Sequence, residues 1–72
     1  MSAKPKKSEE ELTTLIMQAI RQHPEWTDVV DVAIIRGANS NWNARFTMGG
    51  FKPVPEGAFI VVDELQKQFD LA

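Results

Sequence analysis

Residues 29–35 are dominated by β-branched side chains, and residues 42–48 alternate apolar Trp42, Ala44, Phe46 and Met48 with polar Asn43, Arg45 and Thr47. Both patterns favour strands, and the period of two marks a strand with one wet face. Between them lies Gly37-Ala38-Asn39-Ser40-Asn41, a loop rich in residues that tolerate turn conformations. This predicts an antiparallel hairpin with strands at 29–36 and 42–48. Side-chain parity sets its register, because directly opposed residues point to the same face. Arg36 opposite Trp42 sets Ile34 against Ala44, Val32 against Phe46, and Val30 against Met48, an apolar core face. Ile35 by Asn43, Ala33 by Arg45 and Asp31 by Thr47 form the outer face. A slip of one residue would put Asp31 on the core face, which rules that slip out.

A helix is predicted on each side of the hairpin. Ser8 and Glu11 have the spacing of a capping box, and Glu9, Glu10 and Glu11 lie where the helix dipole favours negative charge. Leu12, Leu15, Ile16, Ala19 and Ile20 recur at helical spacing until Pro24 ends the run, which places a helix at about 8–22. After Gly49-Gly50 and the stiff segment 51–55, Ala58, Phe59, Val61, Val62, Leu65 and Phe69 fill one arc of a second helix, at about 56–70. Ile60 points into its polar arc. Trp26, in the turn before the first strand, is expected to fold back over the edge of the core. The fold class is therefore α+β: one small domain in α-β-β-α order, with two helices on one face of a two-stranded hairpin. The expected core is Leu12, Leu15, Ile16, Ala19, Val32, Ile34, Ala44, Phe46, Val62, Leu65 and Phe69. Residues 1–7, with Lys4, Lys6 and Lys7 around Pro5, lack apolar periodicity and are expected to form a disordered basic tail, leaving 8–72 as the domain.

A chain of 72 residues has a thin core, and small domains usually add disulfides, a metal or a second subunit. There is no cysteine, so disulfides and thiolate metal sites are excluded, and a reducing, cytoplasmic setting is expected. No apolar run reaches the roughly 18 residues of a membrane span, and no apolar segment follows the basic start as in a signal peptide. The expectation is a soluble protein without a membrane partner.

The chemistry that these residue types can assemble is limited. His23 is the single histidine, there is no cysteine or tyrosine, and an imidazole before Pro24 at a helix end suits the dipole without any catalytic role. The local acid pairs, Asp28 with Asp31 and Asp63 with Glu64, fall at turn or solvent positions and lack calcium-loop spacing. Gly49-Gly50 is not followed by the Gly-Lys-Ser/Thr of a phosphate loop, so chain reversal accounts for it. The expectation is no enzymatic activity, no cofactor and no metal.

Charge is segregated along the chain. No acid occurs between Val32 and Pro55, while Arg36, Arg45 and Lys52 lie in that stretch of a protein of formal net charge −2. A basic hairpin between acidic flanks could contact nucleic acid, but three charges are few and the outer face has no aromatic on which a base could stack. The alternative is assembly. A two-stranded sheet consists entirely of edges, and residues 29–35 contain no lysine or proline to blunt one. The candidate partner surface is Val29, Ala33, Ile35, Arg36, Asn43, Arg45, Lys52 and Ile60. A non-enzymatic binding or protein-interaction module, either homodimeric through a strand edge or docking on another protein, is the expected role, with nucleic-acid binding through Arg36, Arg45 and Lys52 as the alternative. The α-β-β-α order does not by itself assign a function.

Overall fold

The computed structural model describes residues 4–50 and 52–72. Its elements are β1 (Lys6–Lys7), α1 (Glu9–Arg21), β2 (Val29–Arg36), β3 (Trp42–Met48), α2 (Glu56–Gln68) and β4 (Asp70–Leu71), with a 3-10 turn at Pro24–Trp26. The chain is α+β, with two helices and an antiparallel hairpin as its main elements.

The first helix starts where its local signals put it. Ser8 Oγ accepts from the Glu11 N–H, and Glu11 Oε1 accepts from the Ser8 N–H, so both halves of the capping box are present. The Ser8 backbone N–H, then its hydroxyl and the charge of Lys7, hold the Glu11 carboxyl below its ordinary value. Leu12, Ile16 and Ile20 are spaced by four, so they stack on one face and are buried.

β2 and β3 pair in the predicted register from Arg36 opposite Trp42 to Asp31 opposite Thr47. The next pair differs: Met48 lies opposite Val29, not Val30, because β2 carries a one-residue irregularity there. The extra residue turns Val30 outward, 60% exposed, and returns Val29 to the core, 8% exposed. Gly49 donates to the Asp28 carbonyl at 2.7 Å just beyond the bulge, and Gly50 turns away with a φ of 66°. At the other end the loop closes through Gly37 N–H to the Asn41 carbonyl, with Asn39 and Ser40 at positive φ. Asn is among the residues that tolerate this region best.

One core unites both helices with one hairpin face: Leu12, Ile16 and Ile20 from α1, Val29 and Val32 from β2, Trp42 and Phe46 from β3, Ala58 and Val62 from α2, and Leu71 from β4. Ile34, Ala44, Leu65 and Phe69, expected inside, are half-buried against it. Leu15, also expected inside, is half-buried beside Lys7, Thr14 and Gln18 in a groove on the helix surface. Phe59, which lies on the predicted apolar arc of the second helix, is 54% exposed and meets the Phe46 ring edge-on, whereas Ile60 lies outside as expected, 61% exposed. Trp26 does fold back. Its ring packs on the core, stacks on His23, and lies so close to α2 that a Cβ at Gly57 would overlap its Cζ2 and Cη2.

Both ends of the described chain depart from expectation. α2 ends at Gln68, not near residue 70, and the chain leaves extended so that Asp70–Leu71 pairs in parallel with Lys6–Lys7. Residues 4–7 are therefore not a disordered tail. Asp70 N–H donates to the Pro5 carbonyl, Ala72 N–H donates to that of Lys7, and Lys7 Nζ sits 5.3 Å from the Phe69 ring centre. The rest of the predicted tail, 1–3, lies outside the described residues. The pairing buries Leu71 to 1% exposure, an apolar gain that periodicity in so short a segment could not signal. Among the described residues no helix is long and apolar enough to cross a membrane.

Candidate functional site: the uncovered side of the hairpin

Because α1 and α2 occupy the same face, the opposite face of the hairpin faces outward. It presents Asp31, Ala33 and Ile35 from β2 beside Asn43, Arg45 and Thr47 from β3, all exposed. Ile35 is 43% exposed, and the bulge adds Val30 at one end. The face is thus a short apolar stripe on β2 flanked by polar β3.

The eight residues singled out from sequence do not share one surface. Ala33, Ile35, Asn43 and Arg45 do lie together on the outer face. Val29 does not, because the bulge makes it part of the core. Arg36 shares the face of Trp42, and its guanidinium donates to the Ala72 carbonyl at 2.9 Å and lies 3.6 Å from Glu9. Lys52 lies 3.1 Å from Asp28. Ile60 stands on α2, away from the sheet face. Arg45 alone of the three hairpin cations makes no ion pair among the described residues. Val30, exposed by the bulge, is the surface residue that parity missed; a bulge between two adjacent valines leaves no signature in the sequence.

The edges of the hairpin differ. On β3, α2 lies alongside: Gln66 Nε2 donates to the Trp42 carbonyl at 2.6 Å, and the Trp42 indole donates to the Phe69 carbonyl at 3.0 Å. Two residues cap edge amides with their own side chains. Val32 N–H donates to Asp31 Oδ1, and Ala44 N–H to Asn43 Oδ1, each at 2.8 Å. Such local bonds compete with strand pairing at the capped group.

The chemistry around His23 is spare. Its ring stacks on Trp26 with centroids 3.9 Å apart, and Nδ1 is 3.4 Å from Glu25. No hydroxyl among the described residues is hydrogen-bonded to it. Asp63 and Glu64 lie beside Lys67 on exposed α2, and Asp63 accepts from the Lys67 ammonium and raises its pKa. Among the described residues no three His, Asp or Glu side chains converge on a metal-sized site. Compared with protein families, curated proteins and solved structures, the chain matches none.

Proposed function

We propose that this chain is a non-enzymatic binding module that engages a protein partner through the uncovered side of its hairpin. The observation that carries this reading is the outer face itself. Ala33 and Ile35, with Val30 beyond them, form an exposed apolar stripe next to a strand edge, while both helices are committed to the other face. An edge offers backbone hydrogen bonds and the stripe offers side-chain contact, the two components of strand addition. The lack of cysteine supports a cytoplasmic setting. The nucleic-acid alternative draws on Arg36, Arg45 and Lys52. It is the weaker reading because Arg36 and Lys52 are occupied by Glu9 and Asp28.

Salt separates the two. Binding to a phosphate backbone weakens steeply as salt rises, through counterion release, while strand addition responds little. The expected result is no salt-steep binding to single- or double-stranded oligonucleotides. Extended peptides of alternating apolar and polar residues should shift the amide resonances of Ala33, Ile34 and Ile35 and leave those of α1 in place. Oligonucleotide binding that falls steeply with salt and is lost in Arg45→Ala would install the alternative.

A further inference from the structure

The hydrogen bond from Gly37 N–H to the Asn41 carbonyl reveals which backbone groups point out of the hairpin. Antiparallel pairs alternate between bonded and non-bonded. Counting back from Gly37, Ile35 with Asn43 and Ala33 with Arg45 are bonded pairs, while Arg36 with Trp42, Ile34 with Ala44 and Val32 with Phe46 are not. The N–H and C=O groups of these last residues therefore face the edges. Independent contacts agree: the Val32 and Ala44 amides are the ones capped by side chains, and the Trp42 carbonyl is the one reached by Gln66.

On β3 two outward groups are met, the Ala44 amide by Asn43 and the Trp42 carbonyl by Gln66 of α2. On β2 only the Val32 amide is met, by Asp31, and among the described residues no helix side chain bonds to that edge. β2 also carries no lysine or proline, the residues that most often block edge pairing. The more open edge is β2.

We propose that β2 pairs antiparallel with β2 of a second copy, about a two-fold axis through Ile34. This rests on the reading of the hairpin as a docking surface and names its occupant. The residues whose backbone groups face the edge, Val32, Ile34 and Arg36, are symmetric about Ile34, so in this register every one finds a partner: Ile34 meets Ile34, and Val32 meets Arg36. A centre between two residues would set core-facing side chains against outward-facing ones, and a centre at Ala33 would pair Arg36 with the bulged Val30. On the outer face, Ala33 of each copy lies beside Ile35 of the other, which joins the two exposed stripes. The charges are compatible, since Asp31 falls beside Gly37 and Arg36 beside Val32, and no like pair meets. The product is one four-stranded sheet, an isologous contact of the kind symmetric dimers use.

Asp31 becomes the gate. Its carboxylate occupies the Val32 amide that the second strand needs, so Asp31→Ala tightens the dimer, while Asn43→Ala uncaps the Ala44 amide on β3 and leaves the dimer unchanged. Sedimentation of the full chain up to about 1 mM reads this as a concentration-dependent rise toward twice the 8.1 kDa protomer mass. The expected gain for Asp31→Ala is about ten- to a hundredfold in dimer affinity, because each of the two copies releases one Val32 amide for pairing. Ile35→Lys, at a position already 43% exposed, should keep the fold by circular dichroism and abolish the mass rise. A protomer mass at every concentration, in wild type and Asp31→Ala alike, overturns self-pairing. If extended peptides still shift the β2 amides in that case, the docking reading stands without the dimer; if they do not, both fall. A mass rise that is strengthened by Asn43→Ala and not by Asp31→Ala also overturns the proposal, since it assigns pairing to β3.

Discussion

α1 and α2 have the same length, 13 residues each, and are held by different means. α1 carries a complete capping box, an acidic first turn, a basic last turn and three buried residues in one stack. α2 is entered through Pro55 without a side-chain cap, buries only Ala58 and Val62, and leaves Phe59 and Ile60 in solvent. What α2 lacks locally it receives from elsewhere: the Trp26 ring against Gly57, Gln66 on the Trp42 carbonyl, and the Trp42 indole on the Phe69 carbonyl beyond its end. Local signals can start a helix on their own, but most helical stability in proteins comes from packing. Here one helix illustrates each half of that statement.

The strongest way to break the comparison is to remove the side chain of Trp42, which is buried in the core shared with α2 and whose indole donates to the Phe69 carbonyl just beyond that helix. Trp42→Ala is expected to cost about 3–5 kcal/mol, enough to abolish a cooperative urea transition in a domain this small. If helix signals for 56–68 survived with a wild-type midpoint, α2 would be more self-sufficient than its contacts imply.

Gly57→Ala should cost about 1–3 kcal/mol, because the new methyl overlaps a ring that is itself stacked on His23. In a Trp26→Ala background the same change should reverse sign and stabilise by about 0.5–1 kcal/mol, the ordinary helix preference of Ala over Gly. Thermal melts of the four proteins measure this coupling; additive effects would detach Trp26 from α2.

Smaller effects test α1. Ser8→Ala is expected to cost about 1 kcal/mol by chemical denaturation, through loss of the cap. The Glu11 carboxyl is lowered from 4.5, so its contribution is present above that value and lost as pH falls through the lower, folded value. Glu11→Gln should therefore flatten the acid limb of the stability profile below pH 4.5 and change little near neutrality. An unchanged acid limb would mean that the box does not depend on the charge of Glu11.

The legible parts of the fold are those written as short periods. The Ser8 cap, the spacing of Leu12, Ile16 and Ile20, and the alternation from Trp42 to Met48 are all local, and the hairpin register followed from parity as far as Asp31 opposite Thr47. Parity failed at Val30 because a bulge adds a residue without changing composition, and Val-Val reads the same in either phase. That one residue moved Val29 from the candidate surface into the core and put Val30 outside. Half of the candidate surface was legible for the same reason. Ala33, Ile35, Asn43 and Arg45 follow from alternation, whereas the partners that occupy Arg36 and Lys52, namely Glu9 and Asp28, belong to other segments of the chain.

The sequence by itself determined that two helices flank a hairpin and which face of that hairpin is apolar, because amphipathic periodicity states the side preference of each residue. Only the tertiary structure decided that Lys6–Lys7 and Asp70–Leu71 pair in parallel, that Leu71 is buried, and that Phe59 is not. It also decided that Gln66 of α2 bonds to the Trp42 carbonyl at the edge of β3, while among the described residues no helix side chain bonds to the backbone edge of β2. These depend on which distant segments meet. A two-residue strand is too short to show a period, and a helical wheel defines an apolar arc without saying how much of it the neighbouring elements will cover.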